Sequence, residues 1–157
     1  MTTPEEPCGE YEDKILFYRQ GDVFGDFSNF APTPIVVDGE RFATTEHYFQ
    51  AQKFVGTPYY RDVANASTAS NAAKLGRSRA HPLRPDWEEV KDEVMMTALR
   101  AKFTQHQHLK DTLLGTAPKT LIEHTTNDRY WADGGDGSGK NMLGILLMKL
   151  RDELSQQ

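Results

Sequence analysis

The sequence predicts an α+β fold: a single compact, largely helical domain with a small set of strands. Three observations predict it. Short alternating or β-branched runs such as "KILFYRQ" and "PIVVDGERFA" are few. Segments with apolar residues at helical spacing, above all "DWEEVKDEVMMTALRAKFTQH", fill most of the rest. No repeat, low-complexity stretch or internal linker divides the 157 residues, a length typical of one domain.

The elements follow in order. Residues 1–13 are polar and acidic and read as a flexible amino-terminal tail, which leaves 14–155 as the domain. "KILFYRQ" reads as a strand, and Asp38-Gly39 between two short apolar runs marks a hairpin. "TTEHYFQAQKF" starts on Thr44 or Thr45 as a cap and stops near Gly56 and Pro58, giving a helix of about three turns. A second helix is expected over 68–76, ended by Gly76 in a left-handed conformation. In the next helix Asp86 is the cap, Glu89 completes a capping box, and Val90, Val94, Met95, Ala98, Leu99 and Phe103 form the core face. "HLKDTLLGT" is a shorter helix closed by Gly115, "KTLIEHT" a strand, and "NMLGILLMKLRDEL" an amphipathic final helix.

Composition narrows the function. Of the residues 38% are apolar and 10% aromatic, enough for a real core. A formal charge of -5 speaks against a broad basic surface for nucleic acid, while leaving room for one small basic pocket. The single Cys8 cannot form an internal disulfide, no apolar run approaches the roughly 20 residues that span a bilayer, and the acidic start is unlike a signal peptide. A cytoplasmic protein is expected. The five histidines are scattered, with no metal-ligand spacing, so neither a metal nor another cofactor is expected.

"GGDGSGKN" over 134–141 imitates a phosphate-binding P-loop, with Gly134, Gly139 and Lys140 in register. Asn141 stands where the magnesium-binding hydroxyl belongs, and the preceding "NDRYWAD" is no buried strand. The stretch reads instead as a flexible surface loop or as a glycine-rich pocket wall, where amides at the start of the final helix could bind an anion.

Three further stretches could carry chemistry. Glu46, Gln50 and Lys53, at i, i+4 and i+7, share one helical stripe, and Tyr48, Phe49, Ala51 and Phe54 cover nearly every other side. The stripe is either a solvated face or, because the helix looks buried all round, the wall of a cleft with a lysine nucleophile and a carboxylate proton shuttle. In "GDFSNFAPTP", Asn29 and Phe30 form either an aromatic-docking turn or a platform for a heterocycle. "KLGRSRAHPLR" concentrates Lys74, Arg77, Arg79, His81 and Arg84, as solvated surface or as a phosphate grip, and Trp87 directly follows.

Together, "DFSNFAPTPIVVDG", "TTEHYFQAQKF", "KLGRSRAHPLRPDWEEVKDEVMMTALRAKFTQH" and "YWADGGDGSGKNMLGILLMKLR" resemble the NADAR domain family, in particular its bacterial YbiA-like branch, over about 15–154. The resemblance implies an α+β, YbiA-like fold and a hydrolase of N-glycosyl bonds. The implied substrates are phosphoribosylamino-pyrimidine intermediates of riboflavin biosynthesis, cleaved to release ribose 5-phosphate. Other branches imply an ADP-ribosyl glycohydrolase acting on guanine bases of nucleic acid. A non-catalytic ADP-ribose-binding module is the alternative from another class. The resemblance marks Glu46 and Lys53 as catalytic and Asn29, Phe30, Trp87, Trp131, Asp133 and Asn141 as substrate contacts, with Gln50 on the same stripe and Arg77 and Arg79 as candidates for the phosphate. Relatives often carry Gly where this chain has Ala132. Lys53 as a Schiff base and Glu46 activating water for direct displacement both remain open, as does the oligomeric state.

Overall fold

A computed structural model describes residues 6–157. The described strands and α-helices, in order, are β1 (Gly9–Glu10), β2 (Lys14–Phe17), β3 (Ile35–Val37), β4 (Glu40–Phe42), α1 (Thr45–Gln52), α2 (Tyr59–Ala64), α3 (Ala69–Arg77), α4 (Trp87–Gln105), α5 (Gln107–Gly115), β5 (Thr120–Glu123) and α6 (Met142–Ser155), with a 3-10 turn over Gly25–Phe27. The class is α+β, with helices dominating two small sheets. The described residues fall into two compact units, one made by residues through Ser28 together with His106–Gln157, the other by Asn29–Gln105.

In the first unit the sheet order is β1-β2-β5. β2 pairs antiparallel with β1, Gly9 opposite Leu16, and parallel with β5, Ile15 opposite Leu121. Ile15, Leu16 and Phe17 are all buried, as expected of a central strand. α6 packs on β5 and α5 on α6. Gly144 permits the close approach of α6, since a side chain there would collide with the carbonyl oxygen of Leu121. The expected tail to residue 13 differs from what is found for 6–13. There β1 extends the sheet, Lys14 pairs with Glu6 at 2.9 Å, and Tyr11 Oη donates to the Pro7 carbonyl. Residues 1–5 of that tail lie outside the described residues. Burial, with the Asp22 carboxylate beside it, pushes the Cys8 thiol up to about 11, so Cys8 is no thiolate nucleophile at neutral pH.

In the second unit β3 and β4 form the expected hairpin, and Asp38 and Gly39 both take positive φ, 51° and 80°, as its two-residue turn demands. α1 sits at the centre and packs on α2, α3 and α4. The core gathers Ile35, Phe42, Tyr48, Phe54, Val63 and Ala98. α2 is an addition to the expected helices. Gly76 departs from expectation too: α3 runs on to Arg77, Gly76 is absent from the positive-φ residues, and it is buried inside the helix. Asp86 precedes α4 as expected, but both carboxylate oxygens are held by the Arg84 fork at 2.6 and 3.0 Å.

Candidate active site

The site starts with how α1 is held. Thr44, in extended conformation, accepts from the His47 amide at 3.1 Å, the expected cap. The Asn29 carbonyl accepts from the Glu46 amide at 3.2 Å, and Asn29 Oδ1 accepts from Thr45 Oγ1 at 2.8 Å. Amides that a helix start leaves open are thus taken by groups just outside it. Asn29, expected to touch substrate, has its side-chain oxygen committed to this clamp and so fixes the turn that carries Glu46. Phe30 beside it is 39% exposed.

Glu46, Gln50 and Lys53 are 8, 6 and 7% exposed, and every residue from Thr45 to Ala51 is buried. The solvated-face reading of the stripe is thereby removed. Gln50 Nε2 donates to Glu46 Oε2 at 2.8 Å. Its other end, Oε1, is buried without a hydrogen-bond partner and lies against Gly76 of α3. Lys53 Nζ reaches the Gly76 carbonyl at 3.4 Å and stands 5.7 and 5.8 Å from the ring centroids of Phe49 and Trp87. Those two rings meet edge to face at 5.1 Å, with Trp87 only 5% exposed. Burial lowers the Lys53 amine to about 8; Glu46 opposes this, while Arg79, Arg77 and Lys91 add to it. An amine so placed is partly neutral near physiological pH, the form a nucleophile requires.

Arg77 and Arg79 are exposed. Arg79 Nη1 shares the Gly76 carbonyl at 3.4 Å and also donates to the Ser78 carbonyl. Arg84, part of the same basic run, is tied to Asp86, and its amide donates to the Lys53 carbonyl at 2.9 Å. Gly76 is the residue that sequence reasoning missed. Ala69, Ala72, Ala73 and Gly76 are all buried at helical spacing on α3, and that small-residue stripe was the available signal.

Trp131, Asp133 and Asn141 belong to the other unit. Trp131 is half-buried and meets Tyr130 edge to face at 4.9 Å. Asp133, 2% exposed, accepts from the Thr125 and Gly135 amides at 3.1 and 2.8 Å and pairs with His124 Nδ1 at 2.7 Å. Asn141 takes a left-handed φ of 53°; its Nδ2 donates to the Leu121 carbonyl and its Oδ1 accepts from the Glu123 amide. Both side chains hold the glycine segment and β5 together. The expected anion site at the start of α6 is corrected by the same geometry. The amides of Asn141, Met142 and Leu143 are spent on the carbonyls of Ala132, Tyr130 and Trp131.

The family model described as NADAR domain matches residues 16–155. The Escherichia coli (strain K12) protein named N-glycosidase YbiA is 55% identical over 145 residues, 92% of this chain and 91% of that protein. The NMR structure of E. coli YbiA superposes with a TM-score of 0.86 at 51% identity, covering 99% of this chain and 92% of that one. The Zea mays protein named riboflavin biosynthesis protein PYRR, chloroplastic, is 41% identical over 160 residues, 92% of this chain but 26% of its own length.

Proposed function

The chain belongs to the NADAR domain family and is a hydrolase of N-glycosyl bonds, and from that premise we propose that it cleaves phosphoribosylamino-pyrimidine intermediates of riboflavin biosynthesis in the cytoplasm, releasing ribose 5-phosphate. The maize relative's name supports that substrate class. Lys53 and Glu46 form the working pair.

The observation that carries the reading is the buried Lys53 amine, lowered to about 8 and placed on the same α1 stripe as the Glu46–Gln50 hydrogen bond. A riboside on an exocyclic amine opens its sugar ring to an imine. The Lys53 nitrogen then bonds to C1, and Glu46 carries the two protons that this nitrogen sheds to the exocyclic nitrogen as its bond to C1 breaks. Water adds to the resulting lysine imine, and Glu46 carries its protons to the lysine nitrogen. The C1–lysine bond breaks to free the aldehyde form of ribose 5-phosphate and restore the amine. The exposed Arg77 and Arg79 suit the phosphate, and the rings of Phe30 and Trp87 suit the pyrimidine.

The test is a side-by-side turnover assay of purified protein with a ribosylaminopyrimidine phosphate and with an ADP-ribosylated guanine substrate. Release of ribose 5-phosphate from the first is the expected result. Turnover of the guanine substrate alone overturns the assignment in favour of an ADP-ribosyl glycohydrolase, and binding without turnover of either points to a non-catalytic ADP-ribose module.

A further inference from the structure

Gly76 touches Lys53 and Gln50, the residue that donates to Glu46, through different atoms. It lies inside α3, where glycine is the poorest helix former after proline and alanine would serve the helix better. A β-carbon there would come within 2.7 Å of Gln50 Cδ and 2.9 Å of Gln50 Cβ, and closer still to Oε1. The amide of Gln50 fills the space that any other residue at 76 would occupy. Its orientation is fixed as well, because the flipped amide would set oxygen against the carboxylate oxygen of Glu46. The result is a buried acceptor, Oε1, without a donor, an arrangement that costs stability and is retained. Meanwhile the Gly76 carbonyl accepts from Lys53 Nζ at 3.4 Å.

We propose that Gly76 is a positioning residue of the reaction: its missing side chain seats Gln50 on Glu46, and its carbonyl aims the Lys53 amine. The inference rests on the reading of Glu46 and Lys53 as the working pair. A larger residue displaces either the Gln50 amide or α3. Glu46 then loses a donor that orients it, and Lys53 loses its acceptor.

The experiment compares Gly76→Ala, Gln50→Ala, the double variant and Glu46→Gln for kcat, KM, pH profile and melting. Gly76→Ala is expected to lower kcat about 100-fold, the scale of a misplacement near 1 Å. The rise of its kcat/KM through about pH 8 should move to lower pH as the Lys53 ammonium loses its acceptor, with melting preserved. In the Gln50→Ala background, where only the approach to Cβ remains, the same change should cost no more than about threefold further. Wild-type kcat and pH profile in Gly76→Ala, or an equal loss in both backgrounds, overturns the proposal. If Gly76→Ala alone does not fold, a folded double variant with Gln50→Ala activity supports the proposal and an unfolded one overturns it. Glu46→Gln separates the two levels. Wild-type turnover there removes the working pair and this inference together, whereas its loss beside an unaffected Gly76→Ala removes the positioning role alone.

Discussion

Gln50 Nε2 donates to Glu46 Oε2 at 2.8 Å across one turn of α1, with both side chains more than nine-tenths buried. A hydrogen bond to a carboxylate in a low-dielectric setting is among the stronger kinds, and it fixes the orientation of the group that the reaction asks to carry protons.

Glu46→Gln keeps the shape and removes the proton carrier. Turnover should fall by about 10²–10⁴-fold, the usual contribution of a positioned acid or base. Ligand binding, measured by calorimetry, should change only modestly. Unchanged release of ribose 5-phosphate would exclude Glu46 as the shuttle.

Lys53→Arg retains the charge but cannot supply a neutral amine, so turnover should be lost if the lysine is the nucleophile. In the native protein kcat/KM should rise with pH through about 8 as the amine sheds its proton. Borohydride added during turnover should leave a mass increment on Lys53, and its absence alongside active Lys53→Arg would favour direct attack by water.

The same amine has a stability signature. Its folded value, about 8, lies below the ordinary 10.5. Below pH 8 both folded and unfolded chains hold the proton, and the full cost of burying the charge is felt. Between 8 and 10.5 the unfolded chain binds more protons, so stability rises with pH. Lys53→Met should therefore be more stable than the native chain at pH 7, on the order of 2 kcal/mol, with the gap closing above pH 8. Chemical denaturation at three pH values checks the sign.

Asn141 combines a left-handed backbone with two hydrogen bonds to β5. Asn141→Ala loses both and strains the backbone, for about 2–3 kcal/mol. Asn141→Gly loses only the bonds and should cost about 1 kcal/mol less. Equal melting temperatures for the two variants would mean that the backbone conformation carries no weight.

Much of this was legible from residue order because the signals are local. Asp38-Gly39 turns the hairpin, Thr44 caps α1, and the apolar residues surrounding Glu46 and Lys53 already set a buried stripe beside the solvated one as a reading. The illegible parts depend on distant partners. β1 is two residues long and exists because β2 offers an edge. α2 follows Pro58, which makes no side-chain cap bond, and spans only six residues. Lys102 is completely buried on α4, where its residue type suggests solvent. Asp133 and Asn141 could not be assigned from type alone, since a carboxylate or amide satisfies a neighbouring backbone as readily as a ligand.

The parallel register of β2 against β5 also bears on the order of events during synthesis. A ribosome delivers Lys14–Phe17 about a hundred residues ahead of Thr120–Glu123, so the strand must wait for its mate while the uninterrupted stretch Asn29–Gln105, rich in short-range helical contacts, is already complete. Nascent chains halted when Gln105 has just left the ribosomal exit tunnel, with Thr120–Glu123 still inside it, should resist protease across α1 to α4 while Ile15 to Phe17 stay open to cleavage.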